Sequence, residues 1–103
     1  PRREFLFVDD LADACVFLMQ HYTGSDIVNI GVGKDIPIAE LANIIKEEVG
    51  YNGTIEYDAT KPDGTPRKLL DVTRLHSLGW QAKTPLREGI RKTIQWYREN
   101  KLR

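Results

Sequence analysis

A mixed α/β fold with few short strands and three main helices is predicted by three features of the chain. Apolar residues recur at helical spacing in three separate segments, short β-prone runs lie between them, and Pro or Gly marks most junctions. At 103 residues the chain is one domain's worth or less. Roughly 60–65% of the unfolded surface can be buried at this size, enough for one modest core.

Glu4 to Val8 reads as a short extended piece with Phe5 and Phe7 on one side. Asp9 or Asp10 then caps a helix, because a carboxylate there accepts the free N–H groups of the first turn. Leu11, Ala14, Cys15, Leu18, Met19 and Tyr22 supply its apolar face, and it ends near Tyr22-Thr23-Gly24. Ile27 to Ile30 is an apolar run stopped by Gly31, which predicts a short strand. A second helix opens at Pro37, with Ile38, Leu41, Ala42, Ile45 and Val49 on its face and Gly50 as its stop. Asn52-Gly53 turns into a strand over Thr54 to Tyr57. Leu69 to Val72 is extended, a short helix covers Thr73 to Leu78, and Thr84-Pro85 opens the last helix. That helix carries Leu86, Ile90, Ile94 and Tyr97 on one face. The order βαβαβ(β)αα gives two to four short strands, a thin core for an independent domain.

Lys plus Arg equals Asp plus Glu at 15 each, so the formal charge is zero. That balance argues against a nucleic-acid or membrane-surface binder, which would need a basic excess. No apolar run approaches the ~20 residues of a membrane span, and no signal-peptide pattern opens the chain. The single Cys15 has no internal disulfide partner and falls on an apolar helix face, which predicts a buried structural thiol in a reduced, cytoplasmic protein. An opening on Pro1-Arg2-Arg3, without an initiator methionine, predicts an excised piece of a longer chain.

Between Lys61 and Lys68 the sequence concentrates turn formers and cations. Pro62, Asp63 and Gly64 fit a type I turn, with proline at its second position and glycine at its fourth. Arg67 and Lys68 follow in a segment too short and too Pro-bounded to be helical. Successive side chains of an extended segment point to opposite faces, so only one of the two cations enters a given cleft. A phosphate grip and a solvated basic loop are both compatible with this pattern.

Other constellations have plainer explanations. Gly31-Val32-Gly33 follows a strand, but the third glycine of the dinucleotide fingerprint is replaced by Ile36, which leaves a strand-end turn. Tyr57/Lys61 and Tyr97/Lys101 share the bare Tyr-x-x-x-Lys spacing without a long helix to support it. His21 and His76 stand alone, as surface or helix-end residues, without metal-ligand spacing around them. Asp9 and Asp10 are explained by a helix cap and a favourable helix-dipole charge. Trp80 and Trp96 read as core anchors. Arg87, Arg91, Lys92, Arg98, Lys101 and Arg103 are interleaved with Glu88 and Glu99 and read as a solvated helix face.

Four segments together carry a family resemblance. REFLFVDDLADA (Arg3 to Ala14), the strand end VNIGVG (Val28 to Gly33), LGW (Leu78 to Trp80) and TPLREGIRKTIQWYREN (Thr84 to Asn100) resemble the extended short-chain dehydrogenases/reductases of the epimerase/dehydratase superfamily. VDD and LGW recur throughout that superfamily, whereas KPDGTPRKLLD (Lys61 to Asp71) resembles the GDP-L-fucose synthase branch. The resemblance covers nearly the whole chain and implies the C-terminal, substrate-binding part of such a reductase, with the Rossmann core absent. It implies that residues 1–33 pack on the missing dinucleotide-binding domain and that residues 34–103 form the substrate domain.

The parent enzyme so implied is NADPH-dependent. It epimerises GDP-4-keto-6-deoxy-D-mannose at C3 and C5 and reduces its C4 ketone to give GDP-L-fucose. Epimerisation needs an acid and a base at carbons acidified by the ketone, and reduction needs nicotinamide over C4. The resemblance places no catalytic, cofactor-binding or metal-ligating residue on this chain, so the isolated piece is expected to be inactive and to bind no NADPH. Its implied partners are the GDP-sugar, the N-terminal Rossmann domain of the same chain and a second copy in a homodimer. Nucleic acid and membrane are not among them.

Three substrate-binding residues are carried over. Arg3 matches the arginine that opens the family's REF segment and contacts the diphosphate, where a planar guanidinium bonds phosphate oxygens bidentately. Lys68 matches a lysine at the same diphosphate on the opposite wall. Asp63 matches an aspartate near the nucleotide end of the substrate. Phe7 departs from the histidine or tyrosine usual in relatives, which affects a local contact. The alternatives are the C-terminal domain of another nucleotide-sugar epimerase/dehydratase and a stand-alone nucleotide-binding module.

Overall fold

The computed structural model describes residues 1–101, and its regular elements are four helices and one small sheet. Strand β1 (Arg2–Arg3) pairs antiparallel with β2 (Ile36–Pro37), in the register Arg2 to Pro37 and Arg3 to Ile36. On its other edge β1 meets the 66–68 segment through a parallel bridge between Arg2 and Arg67. The Arg2 N–H donates to the Pro66 carbonyl at 2.8 Å and the Lys68 N–H to the Arg2 carbonyl at 3.3 Å. Three sequence-distant segments thus meet at β1.

Helix α1 (Val8–His21) turns Ala14 inward against Leu75 and Trp80. Leu6, Phe17, Leu18, Val28, Ile30 and Ala82 pack around that centre. Helix α3 (Thr73–Leu78) supplies Leu75 and ends in a Schellman close. There the Trp80 N–H bonds the Leu75 carbonyl and the Gly79 N–H bonds that of His76. Gly79 takes φ 107°, a left-handed value that L side chains rarely adopt. Leu-Gly-Trp is therefore a stop that drops the indole into the core, where Trp80 is 4% exposed. Its Nε1–H donates to an Asp13 oxygen at 2.9 Å.

Helices α2 (Ile38–Val49) and α4 (Leu86–Asn100) pack together and are laced by ion pairs. Glu48 accepts from Arg87 at 3.2 Å and from Arg91 at 2.8 Å. The Gly50 stop forms as expected, with the Tyr51 N–H reaching the Lys46 carbonyl. Gly89, inside α4, lets the helix approach Phe7, because a Cβ there would sit 3.3 Å from the Phe7 Cβ. The Phe7 ring also receives the Lys92 ammonium 5.7 Å from its centroid.

Several local expectations are corrected. Residues 27–30 and 54–57 are irregular rather than stranded, because neither run finds an adjacent partner for its backbone. The expected extended piece from Glu4 to Val8 gives way to pairing at Arg2–Arg3, and α1 already begins at Val8. Asp10 does not cap α1, whose N-cap is Phe7. It is buried and accepts the Lys83 and Thr84 N–H groups and the Thr84 hydroxyl, ordering the approach to α4 instead. Pro37 and Pro85 stand one place outside their helices as N-caps, and the Thr84 hydroxyl is taken by Asp10.

The tight turn lies upstream of its expected position, at Asp58–Lys61. The Lys61 N–H bonds the Asp58 carbonyl, and the Asp58 carboxylate accepts the Thr60 N–H. Cys15 is exposed, not buried, since α1 turns the neighbouring Ala14 inward. Trp96 is 64% exposed on the outer side of α4 and is not a core anchor. Arg103 lies outside the described residues.

Candidate functional site

Two pairs of cations meet at the sheet, and the pleat sorts them. Arg2 and Arg67 are bridge partners, so their side chains share one face. Asp35 lies on that face, two residues before Pro37, and its carboxylate takes the Arg2 Nε–H at 2.9 Å and the Arg67 Nε–H at 2.6 Å. Burial pushes the Asp35 carboxyl up, but the two guanidiniums outweigh it and hold it below its ordinary value.

Arg3 and Lys68 are the next residues along each segment and therefore occupy the opposite face. The Arg3 guanidinium donates to the Arg2 carbonyl at 2.6 Å. It also stands by the 61–66 loop, 3.8 Å from where a Cβ on Gly64 would be. Lys68 is exposed, with its backbone fixed by the Arg2 carbonyl. Of the three residues carried over by resemblance, two share a face of one sheet. Asp63 is exposed in the neighbouring loop, and among the described residues it has no hydrogen bond or ion pair. Sequence reasoning missed Asp35; the available signal was a lone carboxylate one step before an Ile-Pro strand.

Glu4 is the other residue that the sequence did not single out. Its Oε2 accepts the Val32 N–H at 2.7 Å and the Gly33 N–H at 2.6 Å, and its Oε1 accepts the Leu70 N–H at 3.2 Å. The 31–33 loop is thus a backbone nest holding the chain's own carboxylate. A dinucleotide diphosphate does not fit there, because Glu4 takes the donors it would need. Glu4, the residue after Arg3, is thereby also tied to Leu70, two residues beyond Lys68. Glu4→Ala strands three N–H groups and is expected to cost about 2–4 kcal/mol in chemical denaturation. A loss below about 0.5 kcal/mol would mean that water replaces the carboxylate without penalty.

Five carboxylates are held below their ordinary values. For Asp13 the leading cause is the Trp80 indole N–H; for Glu48 it is Arg91; for Asp58 and Asp71 it is the Thr60 and Thr73 side chains; Asp35 completes the set. A depressed carboxyl stabilises the fold above its unfolded value, 3.8 for Asp and 4.5 for Glu, and loses that contribution as pH falls through the lower folded value. The urea midpoint is therefore expected to change little between about pH 7 and 5 and to fall below about pH 4. A midpoint that stayed level down to about pH 2.5 would contradict these assignments.

The remaining candidates stay apart. His21 stacks on Phe17 at 4.5 Å at the end of α1, and His76 is exposed on α3. Tyr57 is exposed in irregular chain and Tyr97 on α4, each well away from β1 in sequence. Among the described residues, no group of three or more His, Cys, Asp or Glu is placed to hold a metal ion, and no helix is long and apolar enough to cross a membrane.

The chain is similar to proteins named as nucleotide-sugar enzymes. Residues 1–31 match the NAD dependent epimerase/dehydratase family. The chain is 57% identical over 100 residues to GDP-L-fucose synthase 1 of Arabidopsis thaliana, covering 97% of this chain and 31% of the relative. It is 49% identical to the GDP-L-fucose synthase of Escherichia coli, over 97% of this chain and 34% of that protein. Among solved structures it resembles a GDP-6-OMe-4-keto-L-xylo-heptose reductase from C. jejuni. The TM-score there is 0.87 at 37% identity, over 95% of this chain and 31% of that one. The chain spans about 30% of the length of the curated relatives it matches.

Proposed function

We propose that this chain is the C-terminal, substrate-side part of a GDP-L-fucose synthase and grips the diphosphate of its GDP-sugar. The observation that carries the reading is the sheet at β1. Arg3 and Lys68 come from segments 65 residues apart in sequence, yet a backbone bridge between their neighbours sets them on one face. A fork-shaped guanidinium and a point-charge ammonium on one face suit a diphosphate, and Asp63 in the adjoining loop can accept hydrogens from the nucleotide end.

The parent converts GDP-4-keto-6-deoxy-D-mannose to GDP-L-fucose with NADPH as reductant, in the cytoplasm and as a homodimer. The nicotinamide nucleotide belongs to the Rossmann domain outside this chain, and no step of its chemistry runs through the residues here. This part supplies binding energy remote from the reacting carbons, which orients the sugar. Residues 1–33 pack on that domain and 34–103 form the substrate domain. Support comes from α1, where Val8, Leu11, Cys15 and Met19 form an exposed apolar stripe, with Met19 84% exposed.

The test is calorimetry on the full-length protein that carries this chain. GDP is expected to bind more tightly than UDP or dTDP, and Lys68→Ala to weaken GDP about tenfold. Equal binding of the three nucleotides, or an unchanged affinity in Lys68→Ala, would sink the reading.

A further inference from the structure

We propose that Asp35 is a positioning residue for this face: it holds Arg2 and Arg67 on one side of the sheet and so presents Arg3 and Lys68 alone on the other. The inference rests on the diphosphate-binding reading above. The Asp35 side chain is 3% exposed, whereas those of its partners are 45% and 61% exposed. Each carboxylate oxygen serves one guanidinium, so the group cross-links β1 to the 66–68 segment. The Arg2 guanidinium also reaches the Asp35 carbonyl at 3.4 Å.

A cross-link is needed because the backbone pairing is slight. Strands β1 and β2 are two residues each, and only two main-chain hydrogen bonds join β1 to the 66–68 segment. Strand pairs this short pin register weakly, and a slip of one residue exchanges the faces of every side chain. Such a slip would carry Lys68 to the Asp35 side and Arg67 to the phosphate side. With Arg2 and Arg67 anchored to one buried carboxylate, the adjacent cations have a single permitted face.

The sign of one substitution separates positioning from simple charge. Asp35→Asn raises the net charge by one unit, so a purely Coulombic role predicts tighter GDP binding. Positioning predicts weaker binding, because two freed guanidiniums leave the register loose. In the full-length protein, Asp35→Asn is expected to weaken GDP about tenfold by calorimetry, and Asp35→Glu to recover most of that loss. The dependence of affinity on salt is expected to flatten in Asp35→Asn, because fewer cations reach the phosphates, a change that mere loss of stability in the folded fraction would not produce.

Tighter or unchanged GDP binding by folded Asp35→Asn overturns the proposal. Should that variant fail to fold, Arg67→Met is read instead. It keeps Asp35 paired with Arg2, so GDP is expected to bind about threefold more weakly, and an unchanged affinity overturns the proposal. GDP binding that Lys68→Ala weakens and Asp35→Asn leaves alone removes only the role of Asp35. No GDP binding by the unaltered protein removes the diphosphate reading and Asp35 with it.

Discussion

Trp80→Ala is expected to destabilise the fold by about 3–5 kcal/mol, the largest loss for any single truncation in the core. The indole packs on Ala14 and Leu75, which are fully buried, and Phe17, Leu18 and Ala82 close around that centre. Alanine would leave a void in a cluster with few other large side chains to collapse into it. It would also remove the N–H that Asp13 accepts at 2.9 Å, though Lys83 still faces that carboxylate at 3.3 Å. Trp80→Phe keeps most of the apolar volume and loses the hydrogen bond, so its expected cost is smaller, about 1–2 kcal/mol. Urea denaturation followed by far-UV circular dichroism measures both. The total stability of a domain is about 5–15 kcal/mol, so the alanine variant loses a large fraction of it. A loss under about 1 kcal/mol would show that the indole is not the centre of the core.

Helices were legible where periodicity, a stop residue and burial agree. Gly50 and Gly79 end α2 and α3 as left-handed caps, and Leu-Gly-Trp delivers Trp80 to the core as the anchor it was read to be. Strands were not legible, because 27–30 and 54–57 have β-prone composition but no neighbour to pair with. The pairing went instead to Arg2–Arg3, which no propensity scale favours and which depends on chain from residues 36 and 67. Carboxylates were misread for a related reason. Asp10 beside a helix start looks like a cap, yet its partners lie at 83 and 84; Glu4 drew no notice in the sequence, yet it fills the 31–33 nest. Local spacing cannot show a partner that the fold brings from 28 or more residues away. The face of α1 was half right for the same reason: Ala14 and Leu18 turn toward the core, while Leu11, Cys15 and Met19 are exposed.

Arg3→Ala is expected to weaken GDP binding by about 100-fold in the full-length protein, more than any other single change on this face. A bidentate guanidinium makes two charge-assisted hydrogen bonds to phosphate, worth about 1.5–3 kcal/mol together after the loss of water, whereas an ammonium makes one flexible contact. Alanine also removes the side chain that bonds the Arg2 carbonyl at 2.6 Å. Arg3→Lys separates charge from fork geometry. Lysine keeps the charge but lacks the planar fork, so it is expected to recover only about tenfold of the loss. Turnover is informative as well. If remote binding energy orients the sugar over the reacting groups, Arg3→Ala lowers kcat as well as raising KM. A raised KM with kcat unchanged would assign Arg3 to uniform binding. Unaltered GDP affinity in a folded Arg3→Ala protein would remove the arginine from the site and leave Lys68 as its sole cation.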